Sequence, residues 1–293
     1  MKIVVVGSLN LDFVVQADRF PQKGETLMGT GSTMSFGGKG ANQAVCAAKL
    51  GAEVSMIGCL GKDANGDIML ENMKKYSIDT SGIERTDTAS GIAQITIAEN
   101  DNTIIIVSGA NDQVSKEQID RCKNQILDAD LVMLQLEIPL DIVAYVIELC
   151  HKHQVKTILN PAPAVELSMD IIDRVTYLTP NEIEVEQIFK DKLENVLPLY
   201  PNKMIVTAGS RGVYYHDGKA LRNIQPKPVN VVDTTGAGDA FNGAFAVAVT
   251  AGKNIEEAIR FGNAIAGYAI GKLGAQTSMP ELHDLEEWNG GEK

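Results

Sequence analysis

The chain has 293 residues, 44% hydrophobic and 22% charged, with a formal net charge of −12. Such a length buries a full core in one large α/β domain or two smaller ones, and the acidic excess argues against nucleic acid as a main partner, because phosphate binding needs a basic face. No apolar run approaches a membrane span, and no basic stretch followed by an apolar one opens the chain, so neither a membrane partner nor a secretory leader is expected.

Cys46, Cys59, Cys122 and Cys150 lack paired metal spacing and read as reduced, mostly core residues of a cytoplasmic protein. An anionic nucleotide bound to so acidic a chain needs a local positive site, which points to helix N-termini and a metal ion.

In chain order, the continuous apolar run from Lys2 to Val6 predicts a strand covered on both faces of a parallel sheet. It leads into Gly7-Ser8-Leu9-Asn10-Leu11-Asp12, which lacks the G-x-G-x-x-G dinucleotide fingerprint. Asn10 and Asp12 follow the strand's carboxyl end, where open α/β sheets bind ligands. They are either an ordinary polar turn or a pair of groups for binding hydroxyls. Residues 13–35 carry Pro21, Gly24, Gly29 and Gly31 without helical period and predict short strands and turns that project from the sheet. A hairpin is predicted at 92–107, with Glu99-Asn100-Asp101-Asn102 as its turn. Together, about 12–35 and 91–108 are expected to form a small β lid on a single domain spanning 1–293.

Phe36-Gly37-Gly38-Lys39-Gly40-Ala41-Asn42-Gln43-Ala44 opens a helix with Ala41, Ala44, Val45 and Ala48 on one face and Gly51 at its end. It is not a Walker A loop. Its glycines either pack closely or let a small polyol reach the backbone, with Lys39 and Asn42 offering donors. Strands predicted at 54–57, 131–136, 157–159, 175–178 and 204–206 alternate with helical segments, which implies a parallel sheet with helices on both faces. Capping patterns open helices at Ser115-Lys116-Glu117-Gln118 and Asn254-Ile255-Glu256-Glu257. Polar groups gather where strands end: Glu137, Asn160, Asn181-Glu182, and Thr207-Ala208-Gly209-Ser210-Arg211-Gly212. So many at one sheet edge mark a site.

The C-terminal third holds Val231-Val232-Asp233-Thr234-Thr235-Gly236-Ala237-Gly238-Asp239-Ala240-Phe241. An apolar strand is expected up to Asp233, and a helix whose apolar face is Phe241, Ala244, Phe245 and Ala248 follows. The turn between them would offer free backbone N–H groups to phosphoryl oxygens. Asp239 is either a first-turn acid favoured by the helix dipole or a base beside an anion hole.

In this order the motifs closely resemble the ribokinase-like (PfkB) carbohydrate kinases, over essentially the whole chain. The resemblance rests on 7–12, 37–44, Gln135-Leu136-Glu137, Asn160-Pro161-Ala162-Pro163, Pro180-Asn181-Glu182, Gly209-Ser210-Arg211-Gly212 and 233–239. It implies a three-layer α/β/α fold with a mostly parallel sheet, and a β lid that also makes a homodimer contact. It implies ATP-dependent phosphorylation of a sugar, D-ribose at its 5-hydroxyl, with Asp239 as base and Gly236, Ala237 and Gly238 as anion hole. Asn10, Asp12, Gly38, Lys39, Asn42 and Glu137 would hold the sugar. Asn181, Glu184, Thr207, Gly209, Ser210, Arg211, Gly212, Gly238 and Asn263 would line the nucleotide, with the Asn181–Glu184 pattern linked to Mg²⁺ and phosphate. Asp233, Thr235, Ala269, Lys272, Gly274 and Ser278 match positions that supply oxygens, mainly carbonyls, to an activating K⁺.

The chain departs from the family at 189–202, a span compressed around Pro198 and Pro201 where relatives carry an extra helix. The alternatives are the same chemistry on deoxyribose, fructose or a nucleoside, or a non-catalytic sugar-binding protein on the same scaffold.

Overall fold

Successive residues of the buried strands enter two different cores. In β1 (Lys2–Val6), Ile3 and Val5 belong to one apolar cluster while Val4 and Val6 belong to another. That is the period of two expected when both faces of a strand are covered. The structure, a computed structural model, describes residues 1–99 and 101–287.

After β1 the chain forms β2 (Asn10–Gln16), β3 (Gly31–Gly37), α1 (Lys39–Lys49), β4 (Glu53–Gly61), α2 (Ala64–Lys75) and β5 (Asp79–Thr86). Next come β6 (Gly91–Ala98), β7 (Asp101–Val107), α3 (Lys116–Arg121), α4 (Lys123–Leu127), β8 (Leu131–Leu134), α5 (Leu140–Lys152) and β9 (Lys156–Leu159). The middle continues with α6 (Met169–Arg174), β10 (Tyr177–Leu178), α7 (Glu182–Phe189), α8 (Leu193–Val196), β11 (Ile205–Thr207), β12 (Val213–His216) and β13 (Leu221–Ile224). Three helices end the described chain: α9 (Ala237–Thr250), α10 (Ile255–Ile270) and α11 (Leu282–Glu287).

The central sheet has six parallel strands in the order β10-β9-β8-β1-β4-β5. From β1 the chain winds outward through β4 and β5, whereas β8, β9 and β10 lie on the other side. The order therefore reverses between β1 and β8, and the crevice beyond their carboxyl ends is where such sheets place ligands. Helices α1, α2, α9 and α10 cover one face, with α9 packed between α1 and α10, and α3, α5, α6, α7 and α8 cover the other. A three-stranded antiparallel sheet, β11-β12-β13, extends the edge through the parallel bridges Leu178–Met204 and Asn181–Thr207. A separate four-stranded sheet, β3-β2-β6-β7, grows out of the loop after β1.

Three local expectations are corrected. Asn10 and Asp12 are not on a turn but begin β2, paired with Gly37 and Ser35 of β3. Val231 and Val232 do not form a strand. They are 56% and 51% exposed, and this segment hangs from the end of α10 through Val232 N–H to the Ile270 carbonyl at 2.8 Å. A β-branched pair favours extended backbone, but without a neighbouring strand it makes no sheet. At Ser115 the cap is one-sided: its hydroxyl accepts from the Gln118 amide. Asn254 and Glu257 form the full reciprocal box. Of the predicted hairpin turn, Asn100 lies outside the described residues, and Asp101 and Asn102 already belong to β7.

Candidate active site

The floor of the switch-point crevice is set by close packing of main chain. Gly38, N-cap of α1, has φ +85°, and a Cβ there would meet the Asn10 nitrogen at 2.7 Å. A Cβ on Gly40 would meet the Ser8 nitrogen at 2.6 Å. These glycines therefore serve close packing, which lets the start of α1 sit on the exit from β1. Glu137, just beyond β8, clamps the junction: its Oε2 accepts from Ser8 Oγ (2.6 Å) and from the Lys39 amide (3.0 Å).

Opposite lies the start of α9. Gly236 caps it with φ +74°, and a Cβ there would meet Ala275 at 2.8 Å. Gly238 faces open space. The Ala237 amide is taken by the Thr234 carbonyl at 3.2 Å, but among the described residues no hydrogen bond takes up the Gly238 or Asp239 amide. These are the unpaired donors that a helix start offers to an anion.

Asp239 is buried, at 7% exposure. Its Oδ2 accepts from Asn42 Nδ2 (2.9 Å) and its Oδ1 from Gln43 Nε2 (3.0 Å), both from α1. Burial pushes its carboxyl above the ordinary pKa, while Lys39 and the two amides oppose the rise. Asp12, pointing across Gly37, is pushed up to about 7 by burial and by the charges of Glu137 and Asp239. Burial works against the Lys39 ammonium, but Asp239, Glu137 and Glu184 outweigh it and its pKa is raised. One cation thus faces several carboxyl groups in a water-poor crevice.

Asn10 has its orientation imposed. The Leu9 amide donates to Asn111 Oδ1 at 2.9 Å, so Asn111 must turn its Nδ2 to Asn10 Oδ1, at 2.7 Å. What Asn10 has left is its NH₂ donor, on the face of β2 that also carries the Asp12 acceptor.

Further along the sheet edge, Asn181 caps α7 in a reciprocal box with Glu184. Glu184 Oε2 accepts from the Asn181 amide (2.8 Å) and Oε1 from Asn181 Nδ2 (2.9 Å). Burial raises the Glu184 carboxyl, against the Asn181 amide and Lys39. Thr207 ends β11 with its amide on the Pro180 carbonyl at 3.0 Å. Gly209, Ser210 and Arg211 form an exposed 3-10 turn, closed by Gly212 at φ +86°. Arg211 is ion-paired with Glu182. Asn263 borders a cavity of about 390 Å³ with Gln225, Lys227, Val229, Arg260 and Phe261.

A model of the pfkB family of carbohydrate kinases matches residues 1–282. The chain belongs to that family. It is 46% identical over 287 residues to the ribokinase of Bacillus subtilis strain 168, covering 97% of this chain and 98% of that one. It is 34% identical over 301 residues to the deoxyribokinase of Salmonella typhimurium strain LT2, covering 98% of each. Its fold superposes on a structure of Arabidopsis thaliana ribokinase complexed with ribose and ATP with a TM-score of 0.88, at 32% identity and 97% coverage of both chains.

In this carbohydrate kinase the structure brings Asn10, Asp12, Gly38, Lys39, Asn42, Glu137 and Asp239 to one crevice, where β1, β8, α1 and α9 meet. Asn181, Glu184 and Thr207 lie at the next strand ends, and Asn263 stands apart on α10, its Nδ2 on the Ile224 carbonyl at 3.1 Å. Asp233 ties its own segment to the loop after α10: the Thr235 and Gly274 amides donate to it, both at 2.9 Å. Those bonds hold its carboxyl below the ordinary pKa although burial opposes them. Ser278 is buried, Lys272 is exposed, and the Ala269 carbonyl accepts from the Lys272 amide at 3.0 Å. In the compressed span, α8 and a 3-10 turn at Leu197–Leu199 follow α7 directly.

Sequence reading passed over Gln43, Gln135, Asn111 and Gln276, all buried. A signal existed, since Gln43 sits within an alanine-rich helix face and Gln135 interrupts Leu134-Gln135-Leu136. A polar residue in an apolar stretch has to find partners inside the protein.

Proposed function

We propose that this kinase transfers the γ-phosphoryl group of ATP to the 5-hydroxyl of D-ribose, giving ribose 5-phosphate and ADP. The observation that carries the reading is the buried Asp239 carboxylate at a helix start whose Gly238 and Asp239 amides are free. The bond from the sugar oxygen to phosphorus forms as the bond from phosphorus to the β,γ-bridging oxygen breaks. The hydroxyl proton passes to Asp239. In a loose transition state that proton leaves late, so the carboxylate acts mainly by orienting the nucleophile, and its raised pKa makes it a better acceptor. Charge on the transferring group is met by Lys39 and by the amides left free at the start of α9, the Ala237 amide being taken by the Thr234 carbonyl. Asn10 as donor and Asp12 as acceptor suit a hydroxyl, which is both.

Mg²⁺ fits Glu184: an ionised carboxylate offers about four lone-pair sites, and Asn181 uses two of them. When bound, the ion would neutralise phosphate charge. K⁺ fits the junction of the Asp233–Thr235 segment with the loop after α10, where the matched donors are main-chain carbonyls and the Ser278 hydroxyl, hard oxygens suited to an alkali cation. The nucleotide would run from Asn181 and Thr207 past Gly209–Gly212 to the cavity at Asn263, whose rim carries Lys227 and Arg260.

The β3-β2-β6-β7 sheet is proposed as a lid over the sugar and as the homodimer contact. Its edge strand exposes Ile104 (52%), Ile105 (67%) and Val107 (53%), and β3 exposes Met34 (63%), an apolar surface suited to a second copy. Sedimentation of the purified protein tests this: a monomer at micromolar concentration would remove the dimer. An acceptor screen coupled to ADP release tests the activity. The second reading, deoxyribose as acceptor, is favoured by the likeness to the deoxyribokinase, and the same screen separates the two.

A further inference from the structure

Chains of side-chain amides end on both oxygens of the Asp239 carboxylate. On Oδ2, Asn72 Nδ2 donates to Gln276 Oε1 (2.8 Å), Gln276 Nε2 to Asn42 Oδ1 (3.0 Å), and Asn42 Nδ2 to Asp239 (2.9 Å). On Oδ1, Gln43 Nε2 donates to Asp239 at 3.0 Å and also to Asn160 Oδ1 at 3.2 Å. Gln43 Oε1 in turn accepts from Gln135 Nε2 at 2.7 Å. All of these amide side chains are buried.

The polarity of the second chain is not free to reverse. Asn160 Nδ2 donates to the main-chain carbonyl of Thr179 at 3.0 Å, and a carbonyl can only accept. Asn160 must therefore turn its oxygen to Gln43, and Gln43 must answer with its NH₂. That NH₂ also faces Asp239. A main-chain carbonyl at the end of β10 thus dictates, through two side chains, that the carboxylate meets a donor. Gln135 bears the consequence: its Oε1 is the buried side-chain polar atom without a partner among the described residues, packed over Gly7. Turning Gln135 over would set that oxygen against Gln43 Oε1, so its orientation too is imposed from the Thr179 side.

We infer that Gln43, held by Asn160 and the Thr179 carbonyl, is a positioning residue for phosphoryl transfer that fixes the Asp239 carboxylate and favours its ionised form; this rests on the reading of Asp239 as the base. The groups facing Asp239 are Lys39 and the Cys46 thiol from α1, Asp12 from β2, Glu137 beyond β8 and Glu184 from α7. Burial and the carboxyl neighbours favour a neutral Asp239, whereas the Cys46 thiol, pushed up to about 12 by burial, stays uncharged. Against them stand one ammonium and two amides, so loss of either amide matters.

The test is the single-turnover rate of ADP formation across pH with D-ribose and MgATP, in wild type, Gln43→Met, Asn160→Leu and Asp239→Asn. Gln43→Met keeps the volume and removes the donor. Its acid limb should move up by about one pH unit or more, so that the ratio of mutant to wild-type rate climbs with pH while KM for both substrates changes little. Asn160→Leu should move the limb the same way by less, and it carries the test should Gln43→Met not fold. A role in packing alone would scale the rate equally at every pH. Unmoved limbs in both variants, with Asp239→Asn inactive, overturn the positioning role and leave the base in place. An Asp239→Asn that keeps most of its rate overturns the base, and the role of Gln43 with it.

Discussion

The proposed sugar end and the proposed nucleotide end of the crevice are built in opposite ways. Around Asp239 the amide side chains are buried and bonded to one another and to its carboxylate, from elements as distant in sequence as α1 and α9. Around the proposed nucleotide path the groups are half-exposed or exposed, as in the Asn181–Glu184 cap and the Arg211–Glu182 ion pair. The first arrangement is preorganised: its geometry is fixed before a ligand arrives, so a lost contact costs transition-state stabilisation. The second is open and tolerant, because water replaces what a substitution removes. Substitutions of similar size should therefore act strongly in kcat at one end and weakly in KM at the other.

The largest expected effect is at Asp239. Asp239→Asn should lower kcat by about 10²–10⁴ while equilibrium binding of sugar and nucleotide stays largely intact, as measured by calorimetry beside steady-state kinetics. A variant keeping most of its kcat would erase the contrast.

Next is acceptor choice. D-ribose should exceed 2-deoxyribose by about tenfold or more in kcat/KM, because a site built to bond a hydroxyl leaves buried groups unpaired when it is missing. Asn10→Ala and Asp12→Ala should each erode that preference. If both keep it while losing stability, the pair only shapes the start of β2.

A moderate effect is expected from cations. The rate should be higher in K⁺ than in Na⁺ or a bulky organic cation at equal ionic strength, through the segment that Asp233 ties to Gly274. Equal rates in all three would remove K⁺ from the account.

Stability should change with pH through Asp12. Its folded pKa of about 7 lies above the unfolded value, so the folded state holds the proton more tightly. Its contribution to stability is then full below the unfolded pKa of about 4 and falls as pH rises through about 7. Asp12→Asn should flatten that part of the Tm-versus-pH curve; an unchanged slope would contradict the assignment.

The smallest effect belongs to the nucleotide side. Arg211→Ala breaks an exposed ion pair of the kind worth about 0.2–1 kcal/mol, so KM for ATP should shift a few-fold at most with kcat unchanged. A large fall in kcat would show that this end is as tightly built as the other.

The same contrast explains what the sequence disclosed. Strand β1, the α1 face of Ala41, Ala44 and Val45, and the α9 face of Phe241, Ala244 and Phe245 are local patterns with the period of their element, and the structure keeps them. Val231 and Val232 misled because local β preference does not say whether a partner strand lies alongside. Strand β2 is hidden at its first residues because Asn10 and Asp12 look like turn formers until Gly37 and Gly91 pair with Asn10, and Ser35 and Ala93 with Asp12. The roles of the Gln43, Gln135 and Asn160 amides stay hidden for a different reason, although Asn160 itself stands out at a strand end. Their role depends on which oxygen or nitrogen faces which partner across the fold, and no one-dimensional spacing encodes that.

Incubating the protein with MgATP and D-ribose in K⁺ buffer and following the sugar and phosphate by NMR decides whether Asp239 drives transfer to the 5-hydroxyl. Stoichiometric ADP and a single phosphorylated product carrying phosphorus on the 5-oxygen are expected, both absent with Asp239→Asn. ADP release without a sugar phosphate, or phosphorylation at another hydroxyl, would contradict that transfer.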